Sequence, residues 1–580
     1  MSLSLVRSRV NAFWSARIRA RTITAKSEHE HSTLDTTMDK AKVALLVGAT
    51  SQPGWIHEVA DWLKREQKYQ IAAVLVAEAT GSRGGRALPW SSVGLGPVAR
   101  LESRILNTRH RQQLATRELT ESVPTGTPLI RLTLQRDETG TLMLSESEAL
   151  AAARALDLDV ILVLGVPAVR GLLANVARRG AWLLAHSELE GKADVTHAGF
   201  WEVYQRADHT TVKLWRLGET EKDDVLLDSR SFNTEPFWLK NRARALSLGN
   251  FMLFDTLRAK GEPAVPPALA GDLQIHTAMA RPLPAQWDGA AYLARQAWMI
   301  SSVVLRKAMN RNVTWRIAMC PTEREQMVTS AAAILEPPKG RFFADPFVHT
   351  HEGQPYVFFE DYYFRERKGK ISVATYADGA FHFLGVVLDL PYHLSFPFIF
   401  QHDGATYMVP ETCGNRTIEL WKCTEFPLKW EIYKVLMSDI SAVDTIVFPY
   451  GEYWWLLTNI DRADGTSHCD ELFAFYADRP DATTWSPHAM NPIIRSPIKA
   501  RNAGIVVGGE GEIIRCAQTQ GFLHYGKGVS LNRIEELSPS RYSEAEGPVH
   551  YPSFLRKPFA SMHHWHHHGG HTVFDFAFME

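Results

Sequence analysis

The sequence lacks several features that mark common classes of protein. No apolar run reaches the ~18 residues of a membrane-spanning helix. The formal net charge of −1 argues against nucleic acid or an anionic membrane as the main partner. No GxGxxG follows the first apolar strand, so a dinucleotide site is not predicted. The five cysteines are odd in number and contain no CxxC, which favours reduced thiols over disulfides or a zinc site.

The length of 580 residues exceeds what one hydrophobic core usually supports and predicts two or more domains. The first 26 residues carry five Arg and one Lys and no acid, a composition typical of a mitochondrial transit peptide. A disordered extension ahead of a start at Met38 fits equally well. Residues 1–38 are therefore kept apart from the fold. The expected location is cytoplasmic, or mitochondrial if residues 1–26 are a genuine transit peptide.

Residues 39–258 alternate apolar strands with helices, which predicts an α/β domain around a parallel sheet covered on both faces. The predicted strands are Lys42–Thr50, Tyr69–Ala77, Asp159–Gly165 and Ala181–Ala185, and the predicted helices are Gly54–Glu66, Ala149–Leu156, Pro167–Arg179 and Asn241–Leu257.

Within this domain the segments LDLDVILVLG, AWLLAHSE, GFWEVY and TVKLWRLGETEKDDVLL follow one another from Leu156 onward. Their order resembles the formyltransferase family, which includes methionyl-tRNA and sugar N-formyltransferases. The resemblance implies N10-formyltetrahydrofolate as cofactor, with His186 polarising the reacting group or relaying a proton. The acid position, counted back from Asp224, falls on Glu221. The family's Asn position is Leu184, which has no donor, so an altered acyltransferase and a decayed site both stay open.

Residues 259–311 form the predicted linker. Five prolines between Ala259 and Ala285 indicate an exposed connector. Trp287–Met309 is predicted to be one amphipathic helix, with Leu293, Ala297, Ile300, Val304 and Met309 at helical spacing. The helix is expected to brace the two domains, and its polar face is not basic enough to favour a membrane-surface role.

Residues 312–580 contain a repeat. Four 16-residue segments align without a gap, each with an apolar strand, a Gly-containing turn and a second apolar strand: Asp345–Glu360, Phe396–Glu411, Asp444–Asn459 and Ala503–Gln518. A looser fifth copy is His563–Asp575. Starts 51, 48 and 59 residues apart match the size of a four-stranded blade. The predicted fold is multidomain: an α/β formyltransferase-like domain followed by an all-β five-bladed β-propeller.

Each hairpin ends in a polar residue, which predicts a ring of Glu360, Glu411, Asn459, Gln518 and Asp575 around the channel. Such a ring either lines a water-filled channel or supplies the paired carboxylates of glycosidic cleavage. Tyr392 and His393 are candidates for stacking on a sugar, with core packing as the alternative. The histidine run His563–His571 is interpreted as channel lining or surface rather than a metal site, because adjacent strand residues point to opposite faces.

The ADPF motif ending at Phe347 resembles the first blade of glycoside hydrolase family 43. That resemblance implies Asp345 as general base and Asp444 as the family's second Asp. The general acid stays open between Glu411 and Glu546, the latter in a Glu-Gly-Pro segment.

ADPF, PYHLSFPF, VPE, the turn at Arg501, the RxAQ at Arg515–Gln518 and the late His-rich segment also resemble the N-terminal domain of glucosamine inositolphosphorylceramide transferases. This resemblance implies a part in glycan assembly.

Three functions follow as hypotheses. The first is a formyl or acyl transferase of amino sugars whose propeller holds the glycan. The second is a glycan-binding scaffold with decayed sites, and the third is glycosidase or glycosyl-transfer chemistry at Asp345 and Asp444. The expected partner is a carbohydrate or amino-sugar substrate, with no nucleic acid and no integral membrane span.

Overall fold

The computed structural model describes residues 40–79, 95–137, 141–187, 196–259, 284–308, 313–320, 333–462, 467–508, 511–551 and 560–579. Met1–Lys40 and Ala41–Glu580 are separate units. The transit-like extension and most of the Pro-rich linker lie outside the described residues.

An α/β region occupies the first part of the second unit. Its elements in chain order are β1 (Ala41–Val47), β2 (Ser51–Pro53), α1 (Gly54–Arg65), β3 (Tyr69–Ala79), α2 (Gly96–Glu102), α3 (Thr108–Leu114), β4 (Thr116–Glu118), β5 (Leu129–Arg136), β6 (Leu142–Leu144), α4 (Glu148–Arg154), β7 (Val160–Val163), β8 (Val169–Gly171), β9 (Ala181–Ala185), α5 (Phe200–Gln205), β10 (His209–Leu217), β11 (Val225–Asn233) and α6 (Trp238–Arg258).

Nine of these strands form one sheet in the order β11-β10-β9-β7-β1-β3-β5-β6-β8. The five central strands are parallel, as predicted, while β10, β11 and β6 each form antiparallel pairs towards the edges. Val43 and Leu45 pack in one core with α1 and α6, whereas Ala44 and Leu46 pack with α4. Burial on both faces explains why β1 has no polar side.

One predicted helix of this region is wrong. Pro167–Arg179 contains the short strand β8 and a 3-10 turn at Leu172–Asn175 instead of an α-helix. Gly171 between them has φ 75°, and a Cβ there would lie 2.9 Å from the Leu144 carbonyl oxygen. This left-handed backbone interrupts any continuous helix.

Helix α7 (Gln286–Ala308) follows the Pro-rich segment and is confirmed as a helix. The strands after it are β12 (Val313–Cys320), β13 (Ala333–Leu335), β14 (Arg341–His351), β15 (Gln354–Tyr363), β16 (Lys368–Ala377), β17 (Ala380–Leu388), β18 (Ser395–His402), β19 (Ala405–Thr412), β20 (Thr417–Glu425), β21 (Lys429–Ser438), β22 (Ala442–Tyr450), β23 (Tyr453–Ile460), β24 (Leu472–Ala477), β25 (Ser486–Pro487), β26 (Asn502–Val507), β27 (Ile513–Gly521), β28 (His524–Ser538), β29 (Arg541–Ala545), β30 (Val549–His550), β31 (Trp565–His568) and β32 (His571–Met579).

These strands form a propeller-like ring of four-stranded groups. Strands β14–β17, β18–β21 and β22–β25 are three separate sheets, and β26–β29 and β31-β32-β12-β13 are joined through a β26–β31 contact. The first strands β14, β18, β22, β26 and β31 contact one another in a closed cycle. Strand β12 pairs with β32, so the two ends of the region share one sheet and close the ring.

The predicted hairpins are confirmed, but their register is wrong in one copy. Paired residues at the inner end are 16 apart in the first three hairpins, as in Ala344 with Glu360. In the fourth, Asn502 pairs with Ala517, only 15 residues later. The second strand is one residue shorter there, so Ala517 rather than Gln518 takes the ring position.

The α/β region and the ring are in direct contact. Arg244 of α6 donates to the Asp470 carboxylate (Nη2 to Oδ2, 2.6 Å), and Asp208 accepts from Lys527 (2.6 Å) and the Phe522 backbone N–H (2.8 Å). Within the described residues, no helix is both long and apolar enough to cross a membrane.

Candidate functional site

A cavity of about 390 Å³ opens where the inner strands of the ring converge. Its lining combines aromatic side chains with titratable ones: Trp315, Phe342, Tyr362, Tyr525, Asp345, Glu360, His393, Glu411, Cys413, His468, Arg501 and His563, together with Ala344, Ser395 and Val443. Aromatic faces beside hydrogen-bonding groups are suited to a sugar, which has apolar C–H faces and hydroxyls around its edge.

The backbone of the inner strands directs two of the predicted aspartates. Asp345 and Asp444 each lie in a β-bulge and have φ values of 51° and 50°. Phe396 has φ 44° at the bulge of the second hairpin. A bulge re-aims a side chain relative to the regular alternation of the strand, and left-handed backbone at non-glycine residues is concentrated at functional sites.

Asp345 is part of a three-residue cluster. His563 Nε2 lies 3.2 Å from Asp345 Oδ1, and His563 Nδ1 lies 2.9 Å from Asp575 Oδ2. Asp575 also accepts backbone N–H bonds from Asp345 (3.0 Å) and His564 (2.9 Å). Trp315 packs edge-on against the His563 ring, with centroids 4.1 Å apart. The carboxylate of Asp575 therefore positions both His563 and Asp345.

The cluster separates charge. Burial alone would lower the pKa of His563, but the Asp575 and Asp345 carboxylates raise it to about 10. Burial alone would raise the pKa of Asp345, but the charge and hydrogen bond of His563 lower it to about 2. Asp345 is therefore an ionised carboxylate beside an imidazolium at neutral pH.

The same three residues are the candidate metal ligands. Asp345, His563 and Asp575 each offer a ligand atom, and these atoms all lie within 4.8 Å of one another. The His563 proton already bridges the two carboxylates, and a metal would have to displace it. The geometry therefore fits an ion-paired histidine better than a metal centre.

Glu411 lies in the second hairpin and also lines the cavity. It accepts a hydrogen bond from Ser395 Oγ (3.1 Å). Burial raises its pKa to about 8, with the charges of Asp444 and Asp345 adding to the increase and Arg501 opposing it. Glu411 is therefore a protonated carboxylic acid at neutral pH, facing the same space as an ionised one.

Asp444 and Arg501 form a buried ion pair beside Glu411. Burial raises the pKa of Asp444 to about 6, and Arg501 opposes the increase. Asp444 itself does not line the cavity; it contacts it through Arg501. The pair acts on the protonation of Glu411 rather than directly on a ligand.

Glu360 and His393 complete the wall next to Asp345. Burial, and then the Asp345 charge, raise the pKa of Glu360 well above its usual range. His393 Nε2 lies 3.6 Å from Glu360 Oε1, and its Nδ1 accepts from the Gly369 N–H (2.9 Å). Burial lowers the pKa of His393. Two neutral groups, a carboxylic acid and an imidazole, are therefore available to hydrogen-bond hydroxyls.

Four of the predicted site residues lie outside the cavity lining. Asn459 is buried and its amide is fully used, donating to the carbonyls of Glu471 (2.9 Å) and Ala500 (2.8 Å) and accepting from the Asn502 N–H (2.9 Å). Gln518 is buried one residue beyond the ring position, and its amide has no partner among the described residues. Both predictions of substrate binding are corrected by the register and hydrogen bonding of the strands.

Tyr392 and Glu546 are the other two. The Tyr392 hydroxyl lies 3.4 Å from the Glu419 carboxylate, away from the lining. Glu546 is 56% exposed and pairs with Lys499. The choice of general acid left open by the sequence therefore falls on Glu411.

The candidates of the α/β region do not form one site. His186 is buried, in edge contact with Trp55 (centroids 5.1 Å), and its ring nitrogens have no partner among the described residues. A Cβ on Gly249 would lie 2.8 Å from its Nε2, so α6 covers the ring. Burial lowers the pKa of His186 to about 3.

The predicted acids lie elsewhere. Asp224 is buried in a two-point ion pair with Arg170 (Nη2 to Oδ2, 2.9 Å), and Glu221 is exposed in the 3-10 turn Glu221–Asp223. The described geometry gives formyl transfer at His186 no support.

Several residues of the cavity were missed by sequence reasoning. Trp315 is on β12, far from the other lining residues in the chain, and no local pattern connects it to them. Ser395 occupies in the second hairpin the place of Ala344 in the first, and the aligned repeat could have identified it. His563 was interpreted only as channel lining. Its neighbours His566 and His568 accept N–H bonds from Val348 and Thr350 of β14 (3.2 Å each), joining two sheets of the ring.

The ring region has relatives among known proteins. Residues 290–573 match the family model described as glucosamine inositolphosphorylceramide transferase 1, N-terminal. Glucosamine inositolphosphorylceramide transferase 1 of Oryza sativa subsp. japonica is 35% identical over 211 residues, which are 35% of this chain and 27% of that protein. The Arabidopsis thaliana protein of the same name is 35% identical over 211 residues, covering 36% and 27%. The match thus spans about a quarter of the length of these curated relatives.

Solved structures give weaker likenesses. A family 117 glycoside hydrolase of Zobellia galactanivorans has a TM-score of 0.30 at 12% identity, covering 46% of this chain and 90% of that one. The catalytic domain of the Coprinopsis cinerea GH62 α-L-arabinofuranosidase has a TM-score of 0.29 at 13% identity, covering 40% and 74%. Likenesses at this level support no statement about function.

Proposed function

We propose that the ring is a five-bladed propeller whose central cavity binds a carbohydrate, and that Glu411 and Asp345 cleave its glycosidic bond as acid and base. The observation that carries the proposal is the pairing of these two carboxyl groups. Both face one cavity, and their surroundings move their pKa values to opposite sides of neutrality. Two carboxyl groups so separated are what glycoside cleavage needs.

In the proposed reaction the Glu411 carboxylic acid gives its proton to the glycosidic oxygen as the bond from that oxygen to the anomeric carbon breaks. The ionised Asp345 accepts a proton from the attacking water, whose oxygen forms the new bond to the anomeric carbon. Glu411 ends as a carboxylate and Asp345 as an acid. Bulk water then restores both protonation states.

The other cavity residues have roles that follow from their contacts. Arg501, held by Asp444, stabilises the carboxylate that Glu411 becomes after donating its proton. His563 and Asp575 hold Asp345 in its ionised state and orientation. Trp315, Phe342, Tyr362 and Tyr525 offer faces on which sugar rings can stack.

The substrate class we propose is a glycan or glycolipid headgroup that contains a hexosamine. The printed name of the relatives mentions glucosamine and inositolphosphorylceramide, and the ring is the region they share with this chain. A sugar ammonium would find the Asp345 carboxylate in the cavity. Transfer to an acceptor hydroxyl in place of water would use the same acid and base.

Glycan binding without turnover is the second candidate. It is favoured by the His563 ion pair, which already engages one oxygen of Asp345. In that case Asp345 and Glu411 would hydrogen-bond sugar hydroxyls only.

The test is hydrolysis of a panel of nitrophenyl glycosides of pentoses, hexoses and hexosamines. The proteins compared are the wild type, Asp345→Asn, Glu411→Gln and the control Glu546→Gln, which changes an exposed carboxylate outside the cavity. We expect the first two variants to lose about 10²–10⁴-fold in kcat/KM and the control to retain it. Equal turnover in all four proteins would exclude the assignment. Binding of a glycan by calorimetry with no turnover in any of them would favour the second candidate.

A further inference from the structure

Helix α7 has one face fixed to the α/β region. Tyr292 is buried; its hydroxyl pairs with Glu102 and accepts from the Trp238 N–H (2.9 Å). One turn later Gln296 Nε2 donates to the Pro236 carbonyl (3.0 Å), and Met299 lies beside Phe522 of the ring. These residues recur at helical spacing and define the inner face of the helix.

The outer face carries the apolar side chains that the sequence predicted to be packed. Ala297, Ile300 and Val304, three members of the predicted stripe, are exposed. Trp298 is 63% exposed, Val304 60% and Leu305 61%. The prediction of a bracing helix therefore holds only for its first half, because the stripe that makes the contacts is Tyr292, Gln296 and Met299.

The exposed face is wide. At 100° per residue, the exposed positions from Ala297 to Leu305 cover an arc of about 220° around the helix. Ser301 is the one exposed polar side chain among them. A packed partner helix or groove covers an arc of about 100°. An arc twice as wide suits an apolar medium that surrounds the helix on several sides.

The local charge is strongly positive although the whole chain is nearly neutral. Between Asp288 and Glu323 the sequence has no acid and five basic residues: Arg295, Arg306, Lys307, Arg311 and Arg316. Arg306 and Lys307 follow Leu305 directly. Apolar side chains flanked by basic ones are the composition of helices that lie at the surface of an anionic bilayer.

We propose that the second half of α7, Trp298–Leu305, is a membrane-docking surface that inserts into the interface of an anionic lipid bilayer. Its apolar arc enters the boundary between headgroups and acyl chains, and the basic residues after Leu305 attract the anionic headgroups. The docking needs no residue of the cavity, so its test is independent of the proposed glycoside chemistry.

The experiment is cosedimentation of the full-length chain with vesicles of phosphatidylcholine alone or with about one-third phosphatidylserine. We expect binding to the anionic vesicles, weaker binding in high salt, and little binding to phosphatidylcholine. The double variant Val304→Glu/Leu305→Glu should lose at least about tenfold in partitioning. The matched control is Ile432→Glu, an exposed apolar side chain on β21.

A second readout is fluorescence quenching by brominated lipid, which should reach Trp298 in the wild type and diminish in Trp298→Phe. The proposal is overturned if the wild type binds neither vesicle or the double variant binds as well as the wild type. It is also overturned if size-exclusion light scattering shows a dimer that the double variant dissociates, because the arc is then covered by a second copy.

Discussion

His563 Nε2 lies 3.2 Å from Asp345 Oδ1 in the wall of the central cavity, and this ion pair fixes the charge of the carboxylate proposed as the base. The remaining nitrogen of the ring faces Asp575 at 2.9 Å. A buried imidazolium held by two acids is a positioning element, and its removal should be visible in the titration of Asp345.

Replacing His563 with Gln should therefore shift a pH profile. The pKa of Asp345, lowered by His563 to about 2, should rise by about one to two units or more, because burial then acts without the opposing charge. The acidic limb of the activity profile should move to higher pH. His571→Asn, at the β31–β32 turn, is the control. An unchanged acidic limb in His563→Gln would show that the ion pair does not set the protonation of the base.

The stability of the fold should depend on pH through Glu411. Folding raises the pKa of Glu411 from 4.5 to about 8, mainly by burial. A group of this kind contributes stability that is complete below its unfolded pKa and is lost as the pH rises through its folded pKa. The free energy of unfolding in urea should therefore fall between about pH 5 and pH 8, and less steeply in Glu411→Gln. Parallel curves for the two proteins would contradict the raised pKa.

Two residues of the predicted polar ring should differ in their contribution to stability. Asn459→Leu removes three buried hydrogen bonds and leaves two carbonyls and an N–H unpaired, so it should destabilise the fold by about 2–4 kcal/mol. Gln518→Leu removes an amide that has no partner among the described residues and should cost less than about 1 kcal/mol. Chemical denaturation measures both. Equal losses would contradict the assignment of Asn459 as the structural member of the pair.

The contact between the two regions should depend on Arg244. Arg244→Met leaves the Asp470 carboxylate buried without its cation, with an expected loss of about 3–5 kcal/mol. Adding Asp470→Leu should recover most of that loss, because no unpaired charge remains. Urea unfolding of the single and double variants measures the difference. A double variant as unstable as the single one would argue that the pair is held by other contacts.

Binding of N10-formyltetrahydrofolate at His186 stays a prediction of the sequence, and the closed surroundings of the ring favour a negative result. Trp55 and α6 cover His186, so millimolar ligand is expected to leave the thermal unfolding temperature unchanged. A stabilising shift that disappears in His186→Asn would reverse this interpretation.

Much of the architecture could be predicted because it depends on local patterns. The unbroken apolar run of β1 and the hairpin repeat predicted a covered parallel sheet and a ring of hairpins. The failures depend on features that a pattern does not carry. One missing residue in β27 moves Gln518 out of register, and a short Gly-interrupted turn replaces the helix at Pro167–Arg179.

The candidate site was predicted in part for a similar reason. Asp345, Glu411, His393 and Arg501 line the cavity as candidates taken from motifs and repeats. Trp315 and Asp575 become part of the site because β12 and β32 pair across the closure of the ring, a contact between distant parts of the chain. The choice of Glu411 over Glu546 needed burial and charge, which follow from tertiary packing.

The most direct test of the central claim compares two leaving groups on the sugar for which the glycoside panel shows turnover. An alkyl glycoside needs a general acid, whereas a glycosyl fluoride departs without one. Glu411→Gln should lose about 10²–10⁴-fold in kcat/KM on the alkyl glycoside and retain most activity on the fluoride, while Asp345→Asn loses activity on both. Equal losses of Glu411→Gln on the two substrates, or an active Asp345→Asn, would contradict the acid and base assigned to the cavity.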